Sequence, residues 1–90
     1  LHFEKPDLEA FQCLALAYKA IELGKSYPIV LNAANEEAVA AFLSDRVPFY
    51  RIGELVETAM EAHQAADITC VEDIFEVERE TRETVLGAIQ

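Results

Sequence analysis

The run from Leu31 to Leu43, LNAANEEAVAAFL, favours helix at nearly every position and leaves a chain built around it few other options. Its small side chains let neighbouring helices approach closely. Leu31, Ala34 or Asn35, Ala38 and Phe42, with Val39 and Leu43 beside them, draw an apolar face wide enough to be contacted on more than one side. The segment reads as the central helix of the domain. Asn32 and Asn35 sit near its expected start, where backbone N–H groups lack intrahelical partners, so helix capping is their plainest role. That start falls at Pro28 or at Asn32, since proline suits a first helical position. Glu36 and Glu37 then lie in early turns, where a negative charge is favourable by about 0.3–1 kcal/mol.

Helical spacing recurs on both sides of this run. From residue 8 or 11 to Leu23, the residues Phe11, Leu14, Tyr18 and Ile21 draw one apolar stripe, and Gly24 follows as a left-handed C-terminal cap. Residues 1–9 read as an irregular lead-in whose Phe3 and Leu8 pack back on the body. Pro48 ends the central helix region and disfavours helix at Val47. Phe49, Ile52, Leu55, Val56, Ala59, Met60 and His63 then give the cleanest amphipathic repeat in the chain, a third helix reaching about Gln64, with Gly53 inside it for close packing. Thr69 to Glu72 has the T-x-x-E form of a capping box and opens a fourth helix. Its middle, Glu76 to Glu83, is almost wholly polar, which fits either two short helices with a bend or one helix exposed at its centre. Glu78 and Arg82 form an i,i+4 pair there. With no strand alternation anywhere, the expected fold is all-α, a four-helix bundle-like domain with short connecting loops.

Ninety residues suit one small domain. A formal charge of −10, spread over both halves, repels phosphate backbones and argues against nucleic acid as a partner. No apolar run approaches the ~20 residues of a membrane helix, and nothing at the start resembles a signal peptide, so a soluble chain with no membrane partner is expected. The missing initiator methionine points to a piece of a longer chain. Cys13 and Cys70, far apart and each among apolar neighbours, read as reduced core thiols in a cytosol-like compartment.

The residues carry little visible chemistry. A di-metal carboxylate bundle needs Glu-x-x-His pairs, yet Met60 stands three residues before His63, so no metal site is expected. His63, on the apolar stripe of the third helix, reads as structural before it reads as a ligand or proton carrier. Cys13 has no cationic neighbour in sequence to lower its pKa, and burial accounts for it better than nucleophilicity. Asn32 and Asn35 are the sharpest single candidates, because buried amides one turn apart must find partners. Capping satisfies them; binding a substrate or orienting a loop elsewhere is the functional alternative.

Leu1-His2-Phe3 with Pro6-Asp7, Phe11-Gln12-Cys13-Leu14-Ala15-Leu16-Ala17, Leu31-Asn32-Ala33-Ala34-Asn35-Glu36 with Ala38-Val39-Ala40-Ala41-Phe42-Leu43, then Phe49, Ile52 and Val71-Glu72-Asp73-Ile74 together resemble the C-terminal helical domain of 1-deoxy-D-xylulose 5-phosphate reductoisomerases. The similarity spans nearly the whole chain. It departs at Gln12, where the family usually has proline, and glutamine there lets the first helix extend further back. The resemblance implies an NADPH-dependent enzyme using Mg or Mn to rearrange and reduce 1-deoxy-D-xylulose 5-phosphate to 2-C-methyl-D-erythritol 4-phosphate in the non-mevalonate isoprenoid pathway. It implies a homodimer, cytoplasmic or, in a plant or alga, plastidic. In that family a dinucleotide-binding domain and a central domain precede this segment and hold the cofactor, metal ligands and phosphate-binding side chains. No catalytic, cofactor or metal residue therefore carries over to a position here. Asn32, Asn35, Glu36 and His63 stand as structural candidates, and the implied partner is the central catalytic domain of the same chain. On this reading the segment alone is inactive and exposes an apolar face that makes it self-associate. The alternative is a free-standing acidic helical module that binds a protein through an apolar groove.

Overall fold

The computed structural model describes residues 5–89, with side chains from Gln12 onward. Four helices follow in order: α1 (Lys5–Leu23), α2 (Tyr27–Leu43), α3 (Arg51–Ala62) and α4 (Val71–Ile89). Among the described residues there is no strand, and no helix is long and apolar enough to cross a membrane. Helices α2 and α3 form the central pair, α1 and α4 each pack on both, and among the described residues α1 and α4 do not meet. The result is a slab of 44 × 29 × 18 Å, flatter than a closed bundle.

Small residues make α2 the hub that the sequence indicates. Ala33, Ala34, Ala38 and Ala41 are buried along it together with Val30. Leu55 on α3 is the largest of the fully buried side chains, joined in the core by Ile52, Val56, Ala59 and Met60 of α3, Leu16 and Ala20 of α1, and Val77 and Val85 of α4. Burying a side chain of this class is worth about 1.5–3 kcal/mol, and an alanine-lined α2 brings several within reach at once.

The corners follow from backbone chemistry. Gly24 takes φ 67°, and its N–H bonds the Ala20 carbonyl at 2.9 Å, which closes α1 as expected. Lys25 is also left-handed, at φ 51°, so the chain reverses within two residues and α2 can start at Tyr27, with Pro28 in its first turn. At the other end of α2, Asp45 adopts φ 60°. There Arg46 N–H reaches the Ala41 carbonyl at 2.9 Å and Asp45 N–H reaches that of Phe42 at 3.1 Å, a Schellman closure made without glycine.

Four expectations are corrected. Helix α1 begins at Lys5, because Pro6 is harmless in a first turn and Gln12 imposes no later start; Phe3 lies outside the described residues. The stripe on α1 faces outward: Leu14, Tyr18 and Ile21 are 52, 66 and 70% exposed, while Leu16 and Ala20 supply the buried side because Ala20 lets α1 approach α2 closely. The T-x-x-E box does not form, since Asp73, and not Glu72, reaches back to take the Thr69 N–H at 3.0 Å and hydroxyl at 2.8 Å. Cys70 is an exposed thiol at the mouth of α4, not a core residue, and Cys13 is half-buried. Between the two possibilities for the polar stretch, α4 is one continuous helix, with Val77, Thr81 and Val85 turned inward at every fourth position. The close packing expected at Gly53 is present: a Cβ built there would fall 2.5 Å from Gln12 Oε1 of α1.

Candidate functional site

Three places among the described residues bring groups from distant parts of the chain together. The first is a joint between the α1–α2 corner and the segment linking α3 to α4. Ser26 stands at the N-terminal cap of α2, where a serine hydroxyl ordinarily bonds the first turn of its own helix; here it makes no such bond. The hydroxyl is fully buried and turns across the fold, 2.6 Å from His63 Nε2 and 2.9 Å from the Ala66 N–H. Ser26 Oγ accepts from that N–H. Its own proton has no other acceptor in reach, so it donates to Nε2, which makes His63 the neutral Nδ1–H tautomer. Burial lowers the His63 pKa, with Glu80 pulling the other way, in keeping with an imidazole that accepts a hydrogen bond. Tyr27 completes the joint: its ring meets the imidazole edge-on at 5.2 Å, and its hydroxyl donates to the His63 carbonyl at 3.3 Å.

A serine hydrogen-bonded to a histidine invites comparison with nucleophilic catalysis, which needs an accessible oxygen and a group orienting the base. Ser26 has no solvent exposure, and the Ala66 amide occupies its oxygen. An open depression of about 400 Å³ lies beside His63, lined also by Glu80, Thr81 and Thr84, yet Ser26 does not line it. The arrangement latches two loops.

The second place is the α2–α4 face. Arg82 Nη2 bonds Glu36 Oε2 at 2.9 Å, Nη1 bonds Glu37 Oε1 at 3.2 Å, and Glu78 stands 3.5 Å from Nη2. One guanidinium thus serves three carboxylates, and hydrogen bonding to Glu36 is the main cause that raises its pKa. The expected Glu78–Arg82 pair is present, but it is the longest of the three contacts. Arg51 makes a comparable link, donating from Nη2 to the Ala88 carbonyl at 3.1 Å and so satisfying the C-terminal end of α4 from the start of α3.

The third is a shallow groove of about 210 Å³ between α1, α2 and α3, lined by Cys13, Ala17, Leu31, Asn32, Asn35 and Val56. Both asparagines are exposed at its rim in the interior of α2, so neither caps the helix; Asn32 reaches only Glu36, at 3.5 Å. Of the four structural candidates, Glu36 and His63 hold tertiary contacts, whereas Asn32 and Asn35 face solvent. Sequence reasoning missed Ser26, whose position just ahead of Tyr27-Pro28 was a legible cap signal; its partner His63, far along the chain, was not recoverable from spacing.

No group of three or more His, Cys, Asp or Glu side chains among the described residues is placed to hold a metal ion. Nor do Gly24, Gly53 and Gly87 form a phosphate-cradling turn: the first closes a helix and the others lie inside helices.

Comparison with known proteins assigns this arrangement to a family. Residues 1–84 match the family model described as the DXP reductoisomerase C-terminal domain. The 1-deoxy-D-xylulose 5-phosphate reductoisomerase of a Geobacillus species is 52% identical over 85 residues, which is 94% of this chain and 22% of that protein. The enzyme of that name from Chloroherpeton thalassium is 48% identical over 85 residues, again 94% of this chain and 22% of its own length. The solved structure of the Zymomonas mobilis reductoisomerase in complex with NADPH superposes with a TM-score of 0.87 at 38% identity, covering 99% of this chain and 24% of that one. The chain thus spans about a fifth of the curated relatives it matches, and it belongs to the DXP reductoisomerase C-terminal domain family.

Proposed function

We propose that these 90 residues are the C-terminal helical domain of a reductoisomerase that uses NADPH to convert 1-deoxy-D-xylulose 5-phosphate to 2-C-methyl-D-erythritol 4-phosphate. The observation that carries the reading is the family match over residues 1–84, supported by relatives whose names state the activity. On this reading the preceding dinucleotide-binding and central domains hold the NADPH and the divalent cation. The complete enzyme would be a cytoplasmic homodimer, plastidic in a plant or alga. The domain's own contribution is mechanical: a rigid support that keeps catalytic side chains of the central domain in place. The Ser26–His63 latch and the Arg82 clamp suit that role, because each ties together elements distant in sequence.

The test is to express the full-length polypeptide and follow NADPH consumption with 1-deoxy-D-xylulose 5-phosphate and Mg or Mn. Turnover is expected in the full chain and its loss when residues 5–89 are removed. A full chain that folds and binds NADPH but never consumes it with this substrate overturns the assignment, and full activity without the domain overturns the support role.

A further inference from the structure

Helix α1 is apolar on two opposite sides, and only one of them is used. At about 100° per residue, Leu14, Tyr18 and Ile21 fall within a sector of roughly 60°, while Leu16 and Ala20 point the other way, into α2 and α3. A helix hydrophobic on both sides is one that belongs between two bodies. The outward stripe leaves three large, mainly apolar side chains more than half exposed side by side, a patch of the kind that is often functional.

We infer that this outward face of α1, formed by Leu14, Tyr18 and Ile21, is the docking face for the part of the same polypeptide that precedes the domain. The inference rests on the proposed function in so far as that reading makes the chain one domain of a longer one. Two observations single out this occupant. The matched relatives are more than four times as long as this chain, and the match is to a C-terminal domain, so the missing mass lies ahead of α1, the first helix. Charge then distinguishes α1 from α4, the other flanking helix. Helix α4 carries six carboxylates against two guanidiniums, and its exposed Val71 and Phe75 lie among Glu72, Glu76 and Arg79. Between Leu14 and Ile21 helix α1 carries a single charge, Lys19, which lies about 100° round the helix from Tyr18 and so off the stripe. Covering α4 would strip water from ionised groups, whereas covering the α1 stripe removes mainly hydrocarbon and one phenol from water.

The experiment is thiol labelling of the Ile21→Cys variant of the full-length chain, with every native cysteine, Cys13 and Cys70 included, replaced by alanine so that position 21 carries the one thiol. A cysteine in place of an exposed isoleucine leaves the core of the domain untouched. Labelling of the native full chain is expected to be at least about tenfold slower than that of the same variant unfolded in denaturant, and independent of protein concentration. Weaker protection overturns the inference. Protection that vanishes on dilution assigns the face to a second copy of the chain and also overturns it. The same preparation is assayed for reductoisomerase activity, which separates the two readings. An active enzyme with an unprotected cysteine defeats the docking inference alone, and a protected cysteine in a chain without that activity defeats the proposed function alone.

Discussion

Removing one oxygen atom tests how the α1–α2 corner is held to the segment linking α3 to α4. Ser26→Ala deletes a fully buried hydroxyl that donates to His63 Nε2 at 2.6 Å and accepts from the Ala66 N–H at 2.9 Å. A neutral hydrogen bond contributes about 1 kcal/mol net, and each partner left unsatisfied adds a desolvation penalty of about 1–3 kcal/mol when buried. Because both partners are only part-buried, water relieves some of that penalty, so the expected loss is about 2 kcal/mol. The variant also removes no capping bond, since Ser26 makes none within α2. In urea, with a slope of about 1 kcal/mol per molar for a chain of this size, the unfolding midpoint drops by roughly 2 M. Ser44→Ala is the matched control: its hydroxyl bonds the Ala40 carbonyl at 2.9 Å in an exposed position, and its loss is expected to cost less than about 0.5 kcal/mol. Circular dichroism of both unfolding transitions decides the matter. If Ser26→Ala shifts the midpoint no further than Ser44→Ala, the hydroxyl is not a latch and the reasoning fails.

His63 predicts a pH dependence. Its folded pKa lies below the ordinary 6.5, so the unfolded chain binds a proton that the folded chain resists. Stability therefore falls as pH drops below about 6.5 and continues to fall until the lowered folded pKa is reached; His63→Gln flattens that limb of a stability–pH curve measured by urea unfolding. Two glycines are expected to respond in opposite directions to alanine. Gly24→Ala places a side chain at φ 67° and destabilises by about 1 kcal/mol, whereas Gly87→Ala, in the interior of α4 with no atom within 4 Å of the new methyl, stabilises by up to about 1 kcal/mol in thermal unfolding. Arg82→Met leaves Glu36, Glu37 and Glu78 facing one another without a cation. A loss of about 1 kcal/mol is expected at low salt, shrinking in 1 M NaCl, where charges are screened beyond about 3 Å; a loss independent of salt argues for packing instead.

Positions whose role depends on local periodicity were legible in the sequence, and positions whose role depends on a distant partner were not. The i,i+3 and i,i+4 spacing in α3 places Ile52, Leu55, Val56, Ala59 and Met60 correctly, because a helix with one apolar face has one way to be buried. Gly24 was legible for the same local reason: its backbone conformation is a property of the residue itself. Asn32 and Asn35 misled because their side chains are good caps; of the two starts the sequence allows for α2, Pro28 lies one residue from the observed start at Tyr27, and Asn32 lies more than a turn inside the helix. Thr69 misled by one residue. Both Glu72 and Asp73 can reach back over a first turn, and the T-x-x-E pattern does not decide between them; in the structure Asp73 takes both the amide and the hydroxyl of Thr69, which is also what holds its carboxyl below the usual range.

The stripe on α1 separates what periodicity states from what it omits. Spacing establishes that Leu14, Tyr18 and Ile21 share a face, and in the structure they do. It does not say against what, and the inward side is instead the subtler set of Leu16 and Ala20, chosen because a small residue permits close approach to the alanine-rich α2. The larger side chains were available to fill the core and were left outside. In a domain whose core is already closed by Leu55, Val30 and Val85, three large, mainly apolar residues left half to two-thirds exposed forgo part of the about 1.5–3 kcal/mol that full burial of such a side chain is worth, unless something covers them. The flat, asymmetric slab follows from the same choice. A helix that must be buried on both sides cannot sit in a closed four-helix bundle, so α1 stands at one edge and keeps α4 out of contact on the other.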